Sequence, residues 1–113
     1  MTFEDLASKR EAGRHEARLR ELNQRTVDAL DRVDGDVGEA VRLMCECSRD
    51  ACEEMLELPR PVFERIREST TRYVVVPGHV LHEIEDRVDD GDGWVVVRKR
   101  GEAARGAIEE ASS

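Results

Sequence analysis

The residues best suited to chemistry fall in one stretch, Cys45-Glu46-Cys47-Ser48-Arg49-Asp50-Ala51-Cys52, which holds all three cysteines of the 113-residue chain. An imidazole, His79, follows at a Pro77-Gly78 corner. Three thiolates and one imidazole nitrogen are the ligand set of a closed tetrahedral zinc site, with sulfur about 2.3 Å and nitrogen about 2.0–2.1 Å from the ion. In an extended chain, residues two apart share a face, so Cys45 and Cys47 can address one ion. A turn through Ser48-Arg49-Asp50-Ala51 then returns Cys52 to the same point. The resulting C-x-C-x4-C spacing is tighter than the paired C-x2-C knuckles of common zinc modules.

Two histidines compete for the fourth position. His79 follows a glycine that permits close backbone approach, and it is favoured. His82, three residues on, could reach the ion from the first turn of a helix. His15 sits in a remote charged segment and reads as a surface residue. The thiols also have other readings, as small core residues or as a redox cluster. The charged turn Ser48-Arg49-Asp50 is poor core sequence and favours the metal. A catalytic zinc would need an open coordination position and a nearby base. Glu46 alternates away from its flanking cysteines, and no H-E-x-x-H or H-x-E…P-C-x-x-C pattern occurs. The metal is therefore read as structural, and no catalytic residue is assigned.

Other constellations say less. Asp34, Asp36 and Glu39, and Asp89, Asp90 and Asp92, invite calcium, but neither fits a twelve-residue EF-hand loop with its terminal Glu, and both read as solvated turns. No Ser-His-Asp order, phosphate loop or dinucleotide fingerprint is present.

Composition limits the partners. The net charge is −8. Residues 1–30 carry six basic and six acidic side chains, and the remaining twelve basic and twenty acidic ones lie beyond them. That balance argues against nucleic acid, whose binders show a basic footprint, and Arg98-Lys99-Arg100 is too short to reverse it. No apolar run approaches a membrane span, and Glu4 and Asp5 stand where a secretory leader would be basic and then apolar. A cytoplasmic protein is expected, where thiols stay reduced and clustered cysteines serve metals or redox chemistry. Apolar residues make up only 39%, so the core is thin and a metal staple is a useful supplement.

The elements that must position these ligands follow from pattern. Thr2-Phe3-Glu4-Asp5 resembles a capping box, opening a helix through the proline-free, Glu/Arg/Ala-rich residues 3–32. Its apolar stripe is Ala12, Leu19, Leu22, Thr26, Ala29 and Val33, with Leu30 beside it; this predicts docking of the C-terminal half on the domain, or a short coiled coil. Gly13 weakens the first half. Asp34–Gly38 reads as a linker. Residues 41–47 alternate as a strand, with Val41, Leu43, Cys45 and Cys47 on one face, and 52–58 return as a second with Leu56 and Leu58 inward. Pro59-Arg60-Pro61 starts a short helix that buries Val62, Phe63 and Ile66 and ends near Ser69. Tyr73–Val76 is a strand closed by the Pro-Gly-His turn. Residues 80–88 read as helical turns, Asp89–Gly93 as a turn and Trp94–Val97 as the last strand. The segment from Gly101 reads as a frayed helix or a disordered tail.

With these motifs in order, the chain resembles a family of small bacterial proteins, common in actinobacteria, that carry a C-E-C-x4-C cluster, a short helix, an aromatic-plus-valine strand ending in P-G-H, and a last strand followed by a basic residue and G-E-A-A. The matching segments are Cys45-Glu46-Cys47 with Cys52, Arg72–His79, and Val95–Ala104, within residues 14–105. The resemblance implies that Cys45, Cys47, Cys52 and His79 act as a set, and it brings no activity with it. Pro59-Arg60-Pro61 departs from the Thr-Leu helix start more usual in such proteins.

The sequence thus predicts an α+β chain. An N-terminal amphipathic helix (1–33) and a linker (34–40) precede a zinc-stabilised ββαββ domain (41–100), and a tail (101–113) follows. Its leading function is that of a non-enzymatic zinc-binding interaction or regulatory module that binds a protein partner, or a second copy through the N-terminal helix. The alternatives are a thiol-based redox or zinc sensor and, least favoured, a metal-dependent hydrolase.

Overall fold

Asp5 caps the first helix of the computed structural model, which describes residues 5–34, 40–49 and 51–112. Its Oδ1 accepts the Ser8 N–H at 2.7 Å and satisfies one of the amides that a helix start leaves unpaired. The cap expected at Thr2 lies, with Phe3 and Glu4, outside the described residues, as does the linker from Gly35 to Glu39. Helix α1 (Leu6–Asp34) is followed by strands β1 (Ala40–Met44) and β2 (Met55–Pro59), helix α2 (Arg60–Arg67), strands β3 (Arg72–Val75), β4 (Glu85–Gly91) and β5 (Trp94–Lys99), and helix α3 (Gly101–Ala111). β1 and β2 form one antiparallel hairpin; β3, β5 and β4, in that order, form a separate antiparallel sheet.

The α+β class and long first helix agree with the sequence reading, but the ββαββ order holds only as far as β3. Residues 80–88 are not helical beyond one turn. Ile84 and Glu85 donate backbone N–H groups to the Leu81 carbonyl, and the chain then extends as β4. The spacing of Leu81, Ile84 and Val88 imitates a helix because Val88 is the extra residue of a bulge between Arg87 and Asp89. β4 is acidic and mostly exposed, so it shows no strand-like period; as an edge strand it is defined by pairing with β5 through the Asp92-Gly93 turn.

The valine runs are explained by burial on both faces. Val74 and Val96, with Trp94, face a core built from Val41, Leu43, Leu56, Leu58 and the α2 residues Val62, Phe63 and Ile66. Tyr73, Val75, Val95 and Val97 face a second core under α1 and α3, with Ala17, Ala107, Cys45 and Cys47. Strands covered on both sides read as continuous apolar runs.

Helix α1 turns a different face inward from the one its apolar stripe predicts. Leu22, Leu30 and Val33 are 49%, 56% and 82% exposed, whereas Glu16, Ala17, Asn23 and Val27 are buried, and of the stripe only Ala12 joins them. The segment from Gly101 is a helix rather than a frayed tail, because α1 covers it. Ala103 and Ala107 are fully buried, and Gly13 and Gly106 bring each helix against the other's backbone. Ion pairs Arg10–Glu102 and Arg18–Glu110 edge this contact.

Candidate metal centre

The end of β1 and the end of β3 deliver the candidate ligands. Beyond Met44 the chain keeps an extended course, with Cys45 N–H bonded to the Glu54 carbonyl and Glu46 N–H to the Val74 carbonyl. This alternation turns Glu46 toward Asn23 and Ser48 toward Glu16 on α1, and puts Cys45 and Cys47 together on the other face of the strand. Asn23 secures the α1 side: its Oδ1 accepts the Met44 N–H at 2.9 Å, and its Nδ2 reaches the Met44 carbonyl at 3.0 Å and Glu46 Oε2 at 2.7 Å. Glu46 Oε1 accepts the Val74 N–H at 3.0 Å. Burial pushes this carboxyl up to about 7, against the bonds from Asn23 and Val74 that lower it. Glu46 is thus a buried bracket between α1 and β3, and its contacts account for the single-residue gap between the first two cysteines.

On the other side, Val76, Pro77 and Gly78 make a turn, with His79 N–H on the Val76 carbonyl at 3.0 Å. Gly78 has φ +91°, a conformation side-chain-bearing residues rarely adopt. Arg49 donates to the Gly78 carbonyl at 2.9 Å and ties the cysteine turn to this corner.

Cys45, Cys47, Cys52 and His79 converge so that one ligand atom from each lies within 4.8 Å of all the others. His79 Nδ1 stands 3.6, 3.6 and 3.7 Å from the sulfurs of Cys45, Cys47 and Cys52. Across an ideal tetrahedral ion with sulfur at about 2.3 Å and nitrogen at about 2.0–2.1 Å, that separation is about 3.5–3.6 Å. The other imidazole nitrogen, Nε2, lies 2.8 Å from Glu54 Oε2. A carboxylate there holds the proton on Nε2 and leaves the Nδ1 lone pair facing the sulfurs, the usual outer support of a metal-bound histidine. Val76 N–H donates to Cys45 Sγ at 3.2 Å, a contact that favours thiolate.

The electrostatics point the same way. The hydrogen bond from Cys45 lowers the Cys47 pKa, while the same contact and then burial push Cys45 up, and burial raises Cys52. Sulfurs this close cannot all carry charge without a cation, and a divalent ion relieves that repulsion. The residues present therefore fit a metal ion with four protein ligands. Cys45 and Cys47 are buried, Cys52 and His79 half-buried.

Of the sequence candidates, His79 joins the three cysteines and His82 does not. His82 is exposed and offers its backbone carbonyl to Arg100. His15 is exposed on α1. The acidic turns gather no ligand group among the described residues, where the Cys3His cluster is the one constellation spaced for a metal; Asp36 and Glu39 lie outside them. Asp90 instead pairs with Arg87 at 2.6 Å.

Sequence reasoning missed Glu54, Asn23 and a buried ion cluster of Glu16, Lys99 and Glu85. Glu16 and Asn23 lie two turns apart on α1, so their shared face was legible in principle, but nothing in an acid or amide announces burial. No protein-family model, curated protein or solved structure matches the chain. No helix among the described residues is long and apolar enough to cross a membrane.

Proposed function

We propose that the chain is a non-enzymatic zinc-binding module in which Cys45, Cys47, Cys52 and His79 hold one structural zinc ion, and which acts by binding another protein. The observation carrying the metal reading is the trio of Nδ1–sulfur separations, 3.6–3.7 Å, together with Glu54 on the opposite ring nitrogen. Three sulfurs and one nitrogen favour zinc over harder cations, which prefer oxygen. Four protein ligands leave no position for a water, and Glu54, the nearest carboxylate to the ring, is engaged by His79, so hydrolysis is disfavoured. The partner surface we assign to the outward stripe of α1, where Leu22, Leu30 and Val33 stand exposed; a second copy is one occupant that such a stripe suits. Thiolate ligation is suited to the reducing cytoplasm.

Protein purified under reducing conditions should carry one equivalent of zinc. His82→Ala should retain it and His79→Ala should lose it; the reverse would move the fourth ligand. A sensor reading draws on one observation, the partial exposure of Cys52 beside two buried thiols. Peroxide would take two electrons from Cys52 and a neighbouring thiolate, forming one disulfide and two waters with the uptake of two protons, and release the ion. Stoichiometric peroxide that ejects zinc and changes partner binding would favour it; zinc retained through that treatment would exclude it.

A further inference from the structure

We propose that the buried Glu16–Lys99–Glu85 ion cluster is a positioning strut for the metal centre, holding its two ligand-bearing loops at a fixed separation. The inference rests on the zinc reading above and adds residues that touch no ligand atom. The three side chains come from α1, β5 and the start of β4 and are 0–1% exposed. Lys99 Nζ donates to Glu16 Oε1 and to Glu85 Oε1, and sits 5.1 Å over the centre of the Tyr73 ring.

Each carboxylate has one oxygen on the lysine and its other oxygen on a ligand loop. Glu16 Oε2 accepts the Ser48 hydroxyl, next to Cys47. Glu85 Oε2 accepts the Leu81 N–H at 2.9 Å, two residues after His79. The path Ser48–Glu16–Lys99–Glu85–Leu81 therefore spans the same two loops that the ion would join through Cys47 and His79. Ion and strut are parallel braces across one gap.

Stability alone explains this cluster poorly. Burying a lysine and two carboxyls costs desolvation that apolar residues of equal volume avoid, and replacing such a cluster as a whole is often neutral or stabilising. What the cluster supplies and an apolar patch does not is directional bonding that fixes where Ser48 and Leu81 stand. Supports of this kind around metal ligands are worth about 10- to 100-fold in metal affinity.

Two variants test it, Lys99→Met and Ser48→Ala, against wild type and the hydroxyl-preserving Ser48→Thr. Zinc affinity is read by competition with a chromophoric chelator, release by the same chelator in excess, global stability by urea unfolding of the metal-free chain, and loop order by amide exchange at His79 and Leu81. Both variants should still bind one zinc, but with about 10- to 100-fold weaker affinity and faster release. Lys99→Met leaves two buried carboxyls without their cation and should also lose metal-free stability, so Ser48→Ala carries the affinity comparison. Ser48→Thr should restore affinity, and the Leu81 amide should exchange faster in Lys99→Met.

Wild-type affinity and release in Ser48→Ala would overturn the strut, and that variant removes too little to prevent folding should Lys99→Met fail to fold. Affinity that falls only in proportion to lost global stability would overturn it as well. If the wild-type chain binds no zinc, the metal reading fails separately. The exchange arm then decides the strut: unchanged Leu81 and His79 protection in both variants would refute it.

Discussion

Adding one methyl group to α1 should destabilise this protein although the same change stabilises most helices. In an open helix interior Gly→Ala gains about 1 kcal/mol. At Gly13 the new Cβ would stand 1.9 Å from the Ala103 carbonyl oxygen and 2.8 Å from its carbon. Van der Waals contact needs about 3.5 Å, and the obstacle is backbone, so α1 and α3 must separate. Separation uncovers Ala103 and Ala107, both fully buried, and draws Glu16, one turn on, away from Lys99. Overpacking of this kind costs about 1–3 kcal/mol. A backbone obstacle puts the cost at the upper end, so the net loss for Gly13→Ala is about 2 kcal/mol after the helix gain is subtracted. Gly106→Ala, whose Cβ would stand 2.0 Å from the Arg10 carbonyl oxygen, should lose a similar amount. The two losses should not add, since either substitution opens the same contact. The assay is urea unfolding, with exposed His15→Ala as a control expected within about 0.5 kcal/mol of wild type. A Gly13→Ala variant as stable as wild type, or more so, would refute the close helix contact.

Two further outcomes follow from the site and its surroundings. Glu54→Gln should weaken zinc binding by about 10-fold, the lower end of such effects because Glu54 is half exposed; unchanged affinity in chelator competition would remove its role in orienting His79. Burial lifts the Tyr73 phenol to about 12, above its ordinary 10.0. The folded chain therefore keeps a proton that the unfolded chain loses, so stability present below pH 10 falls as pH rises toward 12, by at most about 3 kcal/mol. Tyr73→Phe should remove this part of the alkaline decline, and parallel stability–pH curves for the two proteins would count against it.

How far these features were legible in the sequence depends on what signals burial. The cysteine cluster, the Pro-Gly-His corner, the inward pairs Val41/Leu43 and Leu56/Leu58, and the short helix with Val62, Phe63 and Ile66 announce themselves through spacing and apolar side chains. The inward face of α1 does not: it is carried by Glu16 and Asn23, whose partners Lys99, Ser48, Met44 and Glu46 are remote in sequence. The leucine stripe pointed the other way, to solvent. α3 was hidden because alanine and glycine mark a close helix contact only when the opposing helix is known. β4 was hidden because an edge strand of acids takes its conformation from β5 and not from its own residues.

The central proposal is that three thiolates and His79 Nδ1 ligate one ion. Cobalt(II) titration of the reduced chain tests it most directly, since the cobalt absorption spectrum reports both geometry and the number of sulfur ligands. The expected result is saturation at one equivalent, with tetrahedral bands, sulfur-to-cobalt charge-transfer intensity of three thiolates, and displacement by zinc. Each of Cys45→Ala, Cys47→Ala and Cys52→Ala should lower that intensity, and His79→Ala should lose the ion and with it the bands, whereas His82→Ala should keep both. A folded wild-type chain that binds no cobalt or zinc, or an octahedral spectrum without sulfur bands, would contradict the account.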